Sequence, residues 1–211
     1  MATQPHSFEL LFDPLCGWCY GAHPIVRAVI KQQAKPFKLT PTGLFARDGG
    51  REMDAGFAAY AWQNDQRIMK MTGQVFSDAY KQDVLDAGGR FDSWLMTVAF
   101  HLIETHTPAQ GLEVLEALQQ LRYVQGQDVS DPQVLASVAV KFGLERDAFI
   151  AQLTAPDVVQ AVKARIEAGQ QAMRRHGVRG VPALVVETAN GSSVLPSLYD
   201  PNSLASIGVD I

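Results

Sequence analysis

The chain has 211 residues, two of them cysteine, and a formal net charge of -4, with a pI near 5.7. Hydrophobic residues make up 47% and charged residues 19%, the balance of a globular chain with one sizeable core, or a core carrying a large insertion. The mild acidity speaks against a nucleic-acid footprint or a basic membrane-binding face, and no apolar run reaches the ~18 residues that span a bilayer.

The N-terminus MATQPHSFELLF has no basic start followed by a long apolar run, so the chain reads as cytosolic, without a secretory leader. SFELLF alternates Phe8, Leu10 and Phe12 and predicts a strand. It runs into CGWCYGAHPIVRAVIKQQ, which predicts a helix with Ile25, Val26 and Val29 inward. FKLTPTGLF suggests a second strand ending near Gly43. From Arg47 to His176 the pattern is almost entirely helical. Asp92 is a cap for a helix with Leu95, Val98 and Leu102 on one side. Thr107-Pro108 and Asp131-Pro132 are two further start signals. Val114, Leu115, Leu118 and Leu121 follow the first; Val134, Leu135, Val138 and Phe142 follow the second, with Gly143 as the stop. The clearest stripe is Val159, Val162, Ile166, Gly169 and Met173, ending in Arg174, Arg175 and His176 before Gly177. VPALVV then reads as a buried strand, Asn190-Gly191 as a hairpin turn, SVL as the returning strand, and a short helix follows from Asp200. This order predicts one α/β domain interrupted by a helical insertion.

The chemistry concentrates in DPLCGWCYGAHP. In a reducing compartment a close cysteine pair is more often catalytic, redox-sensing or metal-binding than structural. On a helix, residues three apart share a face at roughly 5–6 Å between Cβ atoms, compatible with a disulfide that opens and closes with little backbone motion. Cys16, at the helix N-terminus, meets unpaired N–H groups that favour a thiolate. Cys19 lies one turn deeper and more shielded, so Cys16 attacks and Cys19 resolves. A metal reading stays open, with His23 as a third ligand beside Cys16 and Cys19, although no fourth ligand is evident.

With Pro24 eight residues after Cys16, and GVRGVPALVV far downstream, the chain resembles the DsbA-like oxidoreductases of the thioredoxin superfamily. FDPLCGWCYGAHP and TGQVFSDAY are similar to a cytosolic, FrnE-type branch. The resemblance implies a thioredoxin-like core over 1–44 and 177–211 and an all-helical insertion over 45–176. It also implies a helix kinked at Pro24 and a cis Val181-Pro182 bond, with Val181 and Pro182 holding an extended substrate beside Cys16. The expected partners are disulfide- or thiol-containing proteins, with glutathione or a thioredoxin-type protein as reductant. Sulfur carries the electrons, so no organic cofactor and no metal is expected. Two departures stand out. Many relatives carry a buried acid six residues before the first cysteine, where this chain has Leu10, with Glu9 on the opposite strand face. Gly17-Trp18 also places no cation between the cysteines.

Trp18 serves equally as a substrate platform on the site's rim or as packing against the insertion. Met53, Met69 and Met71 read as gap fillers between helices. Asp48-Gly49-Gly50-Arg51 reads as a turn, and His101, Glu104 and His106 as an exposed helix face. Rival functions are a glutathione-dependent transferase or isomerase on the same fold, whose members generally replace the cysteine pair with a serine-type site, and a metal-binding or redox-sensing module.

Overall fold

The computed structural model describes residues 4–210. Its central strand is β1 (Pro5–Phe12). Phe8, Leu10 and Phe12 are buried as their alternation requires, but so is Leu11 on the other face. Both faces are covered, the Leu11 face by Ala172 from outside the sheet. Strand β1 pairs in parallel with β2 (Phe37–Pro41) and antiparallel with β5 (Ala183–Thr188), which hairpins into β6 (Gly191–Val194). The order is β2-β1-β5-β6, and Leu10 stands level with Leu39 on one side and Leu184 on the other. The parallel pair needs a crossover, supplied by α1 (Gly17–Gly21) and α2 (His23–Gln33).

The helix expected from Cys16, with its kink at Pro24, is thus two helices, and the break lies at Ala22, two residues before that proline. Pro24 has no N–H to give the carbonyl of Tyr20 four residues before it. Gln74, from the inserted segment, donates to that carbonyl instead, at 3.1 Å. The sequence thus opens the helix ladder at a point where the insertion closes it.

The inserted segment carries α3 (Ala55–Thr72), the short α4 (Asp78–Tyr80), α5 (Trp94–His106), α6 (Gly111–Tyr123), α7 (Pro132–Lys141), α8 (Arg146–Gln152) and α9 (Pro156–Arg175). It also contains a two-stranded ribbon, β3 (Arg51–Glu52) with β4 (Arg90–Phe91). Asp48 and Gly49 sit in a one-turn helix beside that ribbon. Asp92, one residue before the N-cap Ser93, accepts from the Trp94 N–H at 2.9 Å, so it supplies the capping bond from one position further out than expected. The buried face of α5 differs from the expected stripe: Val98 is buried, but with Met96, Ala99, Phe100 and Ile103, while Leu95 and Leu102 are only half-buried. Helix α5 is enclosed on most sides, which blurs its period. The stripe of α6 holds, as does the Asp131 cap on the Gln133 N–H at 2.8 Å. The last helix, α10 (Pro201–Ala205), is capped by Asp200 as expected.

Helix α9 reaches from the inserted helices onto the sheet. Its Ala172 packs with Leu11, Ala183 and Val185 on the second face of the sheet. Gly169 makes this approach possible, because a Cβ there would lie 2.3 Å from the Pro41 carbonyl oxygen. His101 and Glu104 are not the exposed pair the sequence suggests. Arg165 of α9 reaches both, at 3.0 and 2.9 Å, and also the Leu39 carbonyl at 3.2 Å. Met53 is buried and Met69 half-buried, but Met71 is exposed and fills no gap. Replacing Gly169 with Ala should push α9 off β2 and cost about 1–3 kcal/mol. A urea midpoint lowered at unchanged slope is the expected reading.

Candidate active site

The cysteine loop leaves the end of β1 and turns at Asp13 and Pro14. The Cys16 N–H returns to the Asp13 carbonyl at 3.0 Å, and Cys16 is the extended residue that starts α1. Both thiols are free. Cys16 is 7% exposed and Cys19 2%, so both are buried, Cys19 the more deeply. The Cys16 thiol donates to the Val181 carbonyl at 3.4 Å, and the Val181-Pro182 bond is cis. Cys16, Cys19, Val181 and Pro182 are thus brought to one place. Burial pushes the Cys19 thiol well up, with the neighbouring Cys16 sulfur and the Asp13 carboxylate adding to the rise.

Trp18 is half-buried between the cysteines. It packs edge-on against Tyr199, with ring centroids 5.2 Å apart, and the Tyr199 hydroxyl donates to the Trp18 carbonyl. The Arg67 guanidinium stands 5.8 Å from its ring centre on the opposite, inserted side. Packing and partial exposure therefore coexist at this residue. Burial, then the two nearby sulfurs, drives the Tyr199 phenol upward. Tyr199 could not be found from sequence, since nothing near Asp200 marks it as a neighbour of Trp18.

The acid missing at Leu10 has a counterpart at Asp13, three residues before Cys16. Its carboxylate has no exposure. It accepts from the Leu15 N–H at 2.9 Å, the Phe45 N–H at 3.0 Å and the Ser93 hydroxyl at 2.8 Å. Burial outweighs these donors and lifts its pKa to about 6. Glu9 does point away, bound to Lys38 and Thr40 on β2. Helix α6 secures the loop further: Gln119 donates to the Pro14 carbonyl at 3.1 Å and Tyr123 to the Leu15 carbonyl at 2.8 Å.

His23 does not turn toward the thiols. Its Nε2 is 2.6 Å from the Gln119 side-chain oxygen, and burial lowers its pKa to about 4. Among the described residues no group of three or more His, Cys, Asp or Glu side chains is arranged to hold an ion.

Residues 9–206 match the DSBA-like thioredoxin domain, and the chain belongs to that family of thiol-disulfide oxidoreductases. Among solved structures it is similar to the cytosolic disulfide reductase DsbM from Pseudomonas aeruginosa, with 27% identity and a TM-score of 0.78 over 95% of this chain and 92% of that one. A DsbM structure with GSH matches at 28% identity and a TM-score of 0.74, with the same coverage, 95% and 92%. Among curated proteins it is 24% identical over 170 residues to the ClpXP adapter protein SpxH of Shouchella clausii, covering 79% of this chain. The match spans 54% of that curated relative's length, about half.

The buried histidine carries a pH signature. Its folded pKa lies below the ordinary value, so its contribution to stability is present above about pH 6.5 and is lost as pH falls toward 4. The full loss is on the order of 3 kcal/mol. Asp13 works in the opposite sense, its contribution being lost as pH rises from about 4 to 6. His23→Gln, which can still bond Gln119, should therefore lose less stability on acidification than the parent chain. Denaturant midpoints at neutral and mildly acidic pH read the difference directly.

Proposed function

We propose that the protein is a cytosolic dithiol-disulfide exchanger acting on protein disulfides or small thiols, with Cys16 as nucleophile and Cys19 as resolving thiol. The observation that carries this reading is the graded burial of the two thiols beside the Val181 carbonyl. The Cys16 thiolate attacks a substrate disulfide, forming a mixed disulfide and releasing one substrate sulfur as thiolate, which takes up a proton. Cys19 then loses its proton and attacks the Cys16 sulfur. The Cys16–Cys19 disulfide forms and the second substrate thiol departs. The substrate gains two electrons and two protons, and the protein loses them.

Asp13 serves as the acceptor of the Cys19 proton in this scheme, a role supported by the effect of its charge on the Cys19 thiol. It ionises near pH 6, so at neutral pH it is a base beside a thiol that burial holds protonated. The Val181 backbone offers an extended substrate an edge to pair with. Likeness to a cytosolic disulfide reductase, and to that protein with GSH, supports a reducing direction and glutathione as the small-thiol partner. Two glutathione molecules would restore the dithiol and leave as glutathione disulfide.

Cys19→Ala should still attack a disulfide and accumulate a mixed disulfide visible by intact mass, while Cys16→Ala should trap little. Equal trapping by both variants contradicts the roles, and full turnover in either removes the dithiol mechanism. Asp13→Asn should form the mixed disulfide normally and resolve it about 10²-fold or more slowly, the usual scale for losing a general base. Stopped reactions analysed by mass separate the two steps.

A further inference from the structure

A second buried acid, from the insertion, lies against Gly17, the residue that follows Cys16. Asp65 lies on α3 and is 5% exposed. Its Oδ2 accepts from the Tyr80 hydroxyl at 2.9 Å. Its Oδ1 faces Gly17, the residue directly after Cys16: a Cβ at Gly17 would lie 2.4 Å from that oxygen. One turn on, a Cβ at Gly21 would lie 2.3 Å from Ile68. Helix α3 is therefore seated on the glycine face of α1. At the position beside the nucleophile, that close approach delivers a carboxyl group.

An apolar side chain would fill this place without the cost of burying an ionisable group. The ionisable groups facing Asp65 are the Tyr80 phenol on α4 and, on α6, the Arg122 guanidinium and the Tyr123 phenol. Burial raises the carboxyl's pKa, while the Tyr80 hydroxyl and the Arg122 charge oppose the rise, leaving it at about 7. The group therefore changes charge in the range where thiol exchange runs.

We propose that Asp65 tunes the Cys16–Cys19 pair, its carboxylate disfavouring the anionic dithiol and so holding the pair toward the reducing side. A thiolate at Cys16 and a carboxylate against Gly17 repel one another through a partly dry interior. The disulfide form has no charge at Cys16, so the repulsion acts on the reduced form alone. Destabilising that form makes it the better electron donor. Asp65 touches neither substrate nor sulfur in this scheme; it acts through charge. The inference rests on the dithiol reading above and adds to it a determinant of the direction of electron flow.

The test is the redox equilibrium of wild type, Asp65→Asn and Tyr80→Phe in glutathione/glutathione disulfide buffers, read by intact mass at about pH 6, 7 and 8. Asn keeps the volume and an acceptor for Tyr80. At pH 8 Asp65→Asn should favour the dithiol about tenfold more than wild type, a shift of about 30 mV. At pH 6, where the wild-type carboxyl is largely protonated, the two should nearly coincide. Tyr80→Phe removes a donor to the ionised carboxyl, so it should differ from Asp65→Asn only at higher pH than wild type does. Coincidence of wild type and Asp65→Asn at all three pH values, or an offset independent of pH as a packing effect would give, overturns the proposal while leaving the dithiol reading intact. Absence of a two-electron transition in the wild type overturns both.

Discussion

One carboxylate with no exposure, Asp13, joins the three parts on which the site depends. Its donors are Leu15 in the cysteine loop, Phe45 after β2 and Ser93 at the head of α5. A charge taken out of water costs several kcal/mol unless hydrogen bonds replace its hydration. Three donors offset part of that cost, and the rise of its pKa to about 6 shows that they do not offset all of it. The same residue's carbonyl receives the Cys16 N–H. The position of Cys16 is thus tied to the strand before it and to the insertion across from it by one side chain and its own backbone.

The two thiols differ because of what surrounds them, not because of their types. Cys16 opens α1 and faces the Val181 carbonyl from the start of the hairpin. Cys19 lies beneath it, enclosed by the core and next to Asp13. Helix α1 is short, and three segments hold it. Helix α3 presses on its glycine face, α6 fixes the loop before it, and Tyr199 grips the carbonyl of Trp18. The inserted helices therefore form two of the site's walls. Asp13 lies in the loop before Cys16 and Asp65 against Gly17 after it, and burial raises the pKa of both carboxyls, to about 6 and about 7.

Much of this was legible in the sequence because it is local. Alternation in SFELLF, the Asn190-Gly191 turn, and the caps at Asp92, Asp131 and Asp200 each act within a few residues. The CxxC spacing is local too, while the place of Val181 and Pro182 beside Cys16, 165 residues away, came only from the family resemblance. What escaped depends on partners far apart along the chain. Ser93 meets Asp13 across 80 residues, Tyr199 meets Trp18 across 181, and Arg165 meets Glu104 across 61. No spacing rule carries such pairs. The family position for a buried acid, six residues before Cys16, holds Leu10, whereas the buried acid of this chain stands three residues before, at Asp13. Gly17 read as a missing cation, whereas in the fold it is the space that admits Asp65. The kink at Pro24 was legible from the resemblance, but Gln74, which satisfies the Tyr20 carbonyl that the kink frees, lies 54 residues away and carries no local mark.

The central claim is that the fold makes two chemically identical thiols unequal, Cys16 reached first and Cys19 shielded. Brief alkylation of the fully reduced native protein at neutral pH, followed by peptide mapping by mass, measures this directly. The account predicts that Cys16 is labelled at least about tenfold faster, and that Cys19 reacts at comparable speed only once denaturant opens the fold. Equal labelling rates in the native protein, or faster labelling of Cys19, would contradict it.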